Sequence, residues 1–181
     1  DVPDHVRRDL AVRVLAEERK YTIDKVIKAG YDTRLIAFEL LVPALVRVYE
    51  NKVLLMDTLF PYLNEAITIL KTWDYRCAEN SVATTLAIHW GEKLFPFLAK
   101  TPGDDQVEKT KNFVATADFS NTIEPLLATL KELQTKFGNW QMPWGEVNRF
   151  QRISSDINNR FDDNQPSYPI AFVSSLWGML P

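Results

Sequence analysis

The sequence predicts a mainly α-helical fold. A bundle-like helical region over residues 1–138 leads into an extended, looping segment with short strands over 139–181. Three observations predict this. Apolar residues recur at three- and four-residue intervals through most of the first region, as buried helix faces require. Ser, Thr, Asp and Asn stand just ahead of those stripes, where helix N-caps belong. From Asn139 the helical period disappears, and Pro143, Gly145, Pro166, Pro169 and Gly178 punctuate the rest.

The elements follow in order. Val6, Leu10, Val12, Val14 and Leu15 predict a helix from about Asp4 to Glu18. Thr22 caps a short helix carrying Ile23, Val26 and Ile27, and Gly30 closes it. Asp32 or Thr33 can cap the next, whose stripe runs Leu35, Phe38, Leu41, Val42, Leu45, Val46 and Tyr49. Pro43 inside that stripe removes a backbone donor and is expected to kink the helix or end its first half. Leu59, Tyr62, Leu63, Ala66, Ile69, Leu70 and Trp73 make the cleanest stripe, with Pro61 in the first turn and Asp57 or Thr58 as cap. Asp74–Asn80 is a polar connection. Ser81 then caps a helix with Ala83, Leu86, Ala87, Trp90 and Leu94 on one face, ended or bent at Pro96. Thr101–Asp105 is the strongest turn signal, and Gln106–Ala117 a short helix. Asn121, with Glu124 in capping-box position, caps a last helix that Gly138 terminates. Short strands are expected at Val147–Ile153 and Ile170–Val173.

The bulk numbers fit this reading. The 181 residues suit one domain, or one domain with a substantial appendage. A hydrophobic fraction of 46% and an aromatic fraction of 12% supply a core and argue against disorder. A net charge of −3 without a basic patch argues against nucleic-acid binding. No stretch is apolar for long enough to span a bilayer. A single Cys rules out an internal disulfide.

Candidate chemistry is sparse. His5, His89 and Cys77 lie far apart and form no metal-ligand pattern, so neither a metal nor a cofactor is expected. Asp162, Asp163 and Asn164 lack the alternation of a calcium loop and read as a turn. Phosphate-cradling glycine loops and nucleophile-elbow motifs do not occur. Asp1 has no hydroxyl or thiol for its own amine to activate. Cys77 reads as a passive thiol and His89 as a structural histidine. The densest stretch is Trp140–Arg149, in which Glu146 and Arg149 stand three residues apart between aromatic and turn residues. It reads as a structural clasp: Trp140 and Trp144 fasten the corner, and Glu146 and Arg149 are its polar partners. Catalysis there is the weaker alternative.

Four stretches in series carry a resemblance. They are Tyr31–Arg34 with Phe38–Leu45; Leu70–Asp74 with Asn80–Leu86 and Trp90; Pro143–Arg152; and Phe161–Asp163 with Pro166–Ser167 and Ser174–Gly178. In that order they resemble the β-chain of the penicillin amidase family, its acyl-homoserine-lactone acylase and aculeacin acylase branch most of all. The resemblance implies the helical middle part of a larger αββα N-terminal-nucleophile hydrolase that cleaves linear amide bonds. It implies a self-cleaving precursor whose β-chain begins with a catalytic Ser, with an Asn and a backbone amide holding the oxyanion. Neither that Ser nor that Asn motif occurs here, so this polypeptide alone is expected not to hydrolyse amides. Arg7, with Arg13-Val14-Leu15 six residues on, matches a family pattern in which the first Arg orients nucleophile or substrate. The implied partners are the remainder of the β-chain and the α-chain of the same precursor, and the implied compartment is the periplasm or exterior. If the chain is part of such an enzyme, Trp140, Trp144, Phe172 and Trp177 are expected to expose an apolar patch or to be covered by self-association. The alternative reading is a helical binding or structural module without catalysis.

Overall fold

A computed structural model describes residues 5–17, 20–51, 61–155, 157–158, 160–173 and 175–179. The elements are α1 (Val6–Ala16), α2 (Ile23–Gly30), α3 (Phe38–Glu50), α4 (Pro61–Lys71), α5 (Val82–Lys100), α6 (Gln106–Ala115), α7 (Glu124–Phe137) and α8 (Trp144–Val147). Two short strands, β1 (Arg149–Phe150) and β2 (Tyr168–Pro169), pair antiparallel with Arg149 opposite Pro169 and Phe150 opposite Tyr168. A π-helical turn, Phe119–Ile123, feeds α7, and a 3-10 turn spans Ser175–Trp177.

Helix α5 is the axle, touching α4, α6, α7 and α8. It suits that place because its buried face is continuous: Ala83, Leu86, Ala87, Trp90, Gly91 and Leu94. Trp90 is fully buried, and its indole N–H donates to the Thr122 carbonyl at 3.0 Å. The ring thereby satisfies its one polar atom while filling the space between α5 and the π-helical turn. Ser81 caps α5 as its sequence position predicts, accepting the Thr84 N–H at 3.0 Å. Thr22 likewise caps α2, and Gly138 ends α7 in the left-handed region at φ 73°.

Several expectations need correction. Neither Asp32 nor Thr33 caps α3. Asp32 Oδ1 accepts the Arg34 N–H at 2.9 Å in a local turn, and α3 starts at Phe38 without a side-chain cap. Asn121 does not cap α7. Asp118 does that work a turn earlier, accepting the Asn121 N–H at 3.0 Å while Asn121 Oδ1 accepts the Asp118 N–H at 2.8 Å. The box is thus real but displaced, because the π-helical turn adds a turn ahead of Glu124. Neither Pro43 nor Pro96 ends its helix: both lie inside continuous ones. Both are exposed, so the carbonyl each leaves without a donor is on the solvent side. In α4 the buried stripe is Leu63, Ala66, Ile67 and Leu70, and Tyr62 is exposed. The proposed Asp57 or Thr58 cap lies outside the described residues. The second strand sits at 168–169, just ahead of the expected stretch; Ile170 still donates to Asn148 O at 3.0 Å.

The 139–181 segment returns into the helical layer. Trp177 lies between Phe38 and Phe95, with ring centroids 4.9 and 5.1 Å away. Its carbonyl accepts the Ala37 N–H at 3.2 Å. Gly91 lets it in: a Cβ there would stand 2.7 Å from the Trp177 ring. Trp140, Trp144 and Trp177 are therefore all buried by the chain's own helices and loops, against the expectation of an exposed patch; only Phe172 of that set is exposed.

The exposed apolar surface lies elsewhere. Helix α2 has no buried residue, and Ile23, Val26, Ile27 and the following Tyr31 all face out. Val12 and Leu15 of α1 are exposed too, and among its described side chains Leu10 and Val14 reach the core. No helix among the described residues is long and apolar enough to cross a membrane.

Candidate functional site

The Trp140–Arg149 stretch begins where α7 has ended at Gly138. Pro143, in extended conformation, turns the chain into the single turn of α8. Two α8 amides then bond the loop ahead of α5: Trp144 N–H to Ser81 O at 3.1 Å and Gly145 N–H to Glu79 O at 2.6 Å. This close approach requires glycine. A Cβ on Gly145 would lie 2.8 Å from Pro169 Cβ and 3.1 Å from Glu79 O. The buried Trp144 indole donates to Ala171 O at 3.1 Å. One side chain therefore ties α8 to the returning segment while the backbone of the same residue ties it to α5.

The next residues extend the link. Asn148 Nδ2 donates to Ile170 O at 2.9 Å and to Phe172 O at 2.8 Å. Arg149 holds Ser167 through Nε to Oγ at 3.0 Å and Nη2 to O at 2.8 Å, and reaches Gly145 O at 3.3 Å. Its ion pair with Glu146 is long, 3.9 Å, and the Glu146 side chain is 61% exposed. At that length and exposure the pair contributes little. Arg149 works mainly as a donor to backbone and hydroxyl oxygens. Gln151, 5% exposed, is a member that sequence reasoning missed. Its Nε2 donates to Asp162 O at 2.8 Å and Gln165 O at 3.0 Å, and its Oε1 accepts the Asp162 N–H at 2.8 Å. Asp162 Oδ1 in turn caps Asn164, which makes the Asp162–Asn164 stretch a turn.

Trp140 belongs to a different contact. It is buried beside Tyr62 of α4, ring centroids 6.1 Å apart, while Gln141 Nε2 donates to Glu65 Oε1 at 2.5 Å. The stretch thus joins α4 at one end and α5 at the other. Arg7 is not brought to it. It stands exposed on α1, whose N-cap is His5 accepting the Arg7 N–H at 3.2 Å. Arg13 is committed to Glu39 of α3 at 2.6 Å.

The remaining candidates make poor nucleophiles and bases. Burial pushes the Cys77 thiol up to about 11, so it is protonated at neutral pH; its Sγ contacts Met179 Sδ at 3.5 Å. Burial also lowers the His89 pKa below its usual 6.5, outweighing the attraction of Glu92 and Glu132. His89 Nδ1 lies 4.0 Å from Glu132 Oε1, a pairing the neutral ring leaves uncharged. Glu132 is held by Lys136 and Lys93, each at 2.5 Å, and their hydrogen bonds depress its carboxyl to about 2. Glu132 therefore stays ionised and serves as a tie between α5 and α7. Among the described residues no group of three or more His, Cys, Asp or Glu side chains is placed to hold a metal ion. Among the described residues this geometry ties the helical layer to the returning segment.

The penicillin amidase family model matches residues 1–170. No curated protein matches the chain.

Proposed function

The chain belongs to the penicillin amidase family, and on that premise we propose that it forms the helical part of the β-chain of an amide-hydrolysing enzyme made as a multi-part precursor. Its substrates are linear, non-peptide amides of the N-acyl kind, in the manner of the acyl-homoserine-lactone and aculeacin acylases it resembles. The observation that carries the reading is the family match over residues 1–170. The chain supplies scaffold, and the reacting Ser and oxyanion Asn come from elsewhere in the precursor. The division into a helical part, 1–138, and a returning segment, 139–181, belongs to this proposal. So does the role of Trp140, Trp144 and Arg149 as the clasp between them, which is supported by the bonds from Trp144 to both Ser81 and Ala171, while Glu146, exposed and paired only at 3.9 Å, adds little to it.

Arg7 is the residue we assign to the reaction centre. It is exposed, and its side chain has no partner among the described residues, as a group reserved for another part of the precursor would be. Arg13, its counterpart in the family pattern, is used up in holding α1 to α3.

The test is hydrolysis of a chromogenic acyl anilide by the complete precursor and by the 181-residue polypeptide. Turnover by the matured precursor and none by the polypeptide is the expected pair of results. Turnover by the purified polypeptide would overturn the assignment of the nucleophile to another segment. A matured precursor without amidase activity would favour a helical module without catalysis. In the matured enzyme, Arg7→Ala should lower kcat/KM by at least about tenfold, a loss of about 1.4 kcal/mol in transition-state stabilisation.

A further inference from the structure

A cavity of about 560 Å³ opens between the end of α1, the inner side of α2 and the loop ahead of α3. Its charged lining is Glu17, Lys25, Lys28, Asp32, Arg34 and Arg76. Four cations face two carboxylates there, on a chain whose net charge is −3.

The floor is rigid and its charges are forced together. Arg34 and Arg76 are directly paired in an antiparallel β-bridge, fixed by Leu35 N–H to Tyr75 O at 2.7 Å and Cys77 N–H to Thr33 O at 3.0 Å. Directly paired residues of an antiparallel bridge project from the same face, so two guanidinium groups share one side. Like charges in that relation are destabilising unless something negative lies between them. Asp32 answers only one of the two. It takes Arg76 at 2.7 and 3.5 Å, and its Oδ1 also accepts the Arg34 backbone N–H. The Arg34 side chain has no hydrogen-bond or ion-pair partner among the described residues, nor does that of Lys28. Helix α2 adds Lys28 to the cations unpaired among the described residues. Its apolar residues face outward, which turns Lys25 and Lys28 towards the cavity.

We propose that this cavity binds a small multivalent oxyanion, phosphate or a di- or tricarboxylate, through Arg34, Lys28 and the remaining donors of Arg76. The planar fork of Arg34 suits two oxygens of one anion, and Lys28 supplies a point charge on the facing wall. The volume admits such a ligand together with its bound water. A carboxylate side chain from another segment of the protein could supply the same oxyanion chemistry, in which case the cavity would take up neither free anion.

Inorganic phosphate and citrate are titrated separately into the complete protein by calorimetry at low ionic strength. The expected result is one saturable site for at least one of them, with a dissociation constant of about 1 mM or tighter. Arg34→Gln and Lys28→Gln should each weaken it by at least tenfold, and added sodium chloride should weaken it progressively. Lys28 stands on an exposed helix without buried residues, so its variant keeps the fold even if that of Arg34 does not. No saturable binding of either anion overturns the proposal, since a protein carboxylate then already fills the cavity or no anion is held. Binding that Lys28→Gln leaves unchanged overturns it as well, by placing the anion elsewhere.

Discussion

Replacing Gly91 by alanine would put a Cβ 2.7 Å from the Trp177 ring and 3.1 Å from Phe38. Both rings are buried and have nowhere to move, so overpacking should cost about 1–3 kcal/mol. Gly145→Ala meets Pro169 and the Glu79 backbone and should cost a similar amount. Gly138→Ala meets nothing within 4 Å. It retains only the cost of a left-handed backbone, about 1 kcal/mol. Urea midpoints of the three variants check the ranking, and a Gly138 variant as weak as the Gly91 variant would contradict it. Trp144→Ala removes a buried indole and the bond to Ala171, and should cost about 3–5 kcal/mol. A loss below about 1 kcal/mol would remove Trp144 from the clasp. These positions were only half legible in the sequence. Trp144 and Gly145 stand out as unusual neighbours, but their partners Glu79, Ser81, Pro169 and Ala171 come from segments that no local spacing connects. Gln151 lies in the Pro143–Arg152 stretch, but its burial gave no local signal, because a single Gln in an extended run looks like any solvated residue.

Helices α5 and α7 are tied by Lys93, Glu132 and Lys136, with His89 beside them. The pKa of Glu132 is depressed to about 2, so its contribution to stability is complete above pH 4.5 and is lost as pH falls towards 2. That of His89 is also lowered, so the unfolded chain takes up the proton first. Its contribution is complete above pH 6.5 and erodes below it. Both groups therefore predict stability that falls on acidification, in two separated phases. Thermal melts of His89→Gln should lack the phase just below pH 6.5 and keep the deeper one. An unchanged profile would show that the buried ring does not titrate between the two states. Helix content and most caps at this scale were readable from periodicity and from Thr22, Ser81 and Gly138. Two boundaries were not. Asp32 bonds its own loop instead of a helix, and the π-helical turn moves the capping box from Asn121 to Asp118. Each reflects a local alternative hydrogen bond that propensity does not rank.

Across the whole molecule, the stripes of α3, α4, α5 and α7 announced the helical layer, but the route of the last segment did not announce itself. Nothing in the spacing of residues 139–181 says that Trp177 returns to Phe38 and Phe95. Nor does the pattern of α2 show that its apolar side faces away from its own layer; a moment gives a direction only relative to the helix. Shortening the chain after Pro169 should remove Ala171 from Trp144 and Trp177 from the core, leaving a state with helical far-UV dichroism, no near-UV signal and bound hydrophobic dye. A truncated chain with intact near-UV dichroism would show that the helical part stands alone. The place of Trp177 also has a consequence in time. Its neighbours Phe38, Gly91 and Phe95 leave the ribosome long before it does, and at about 5–20 residues per second the interval lasts several seconds. During that interval the slot beside Gly91 is open and apolar. Synthesis rate and chaperone supply should therefore govern the yield of folded chain more than its equilibrium stability does.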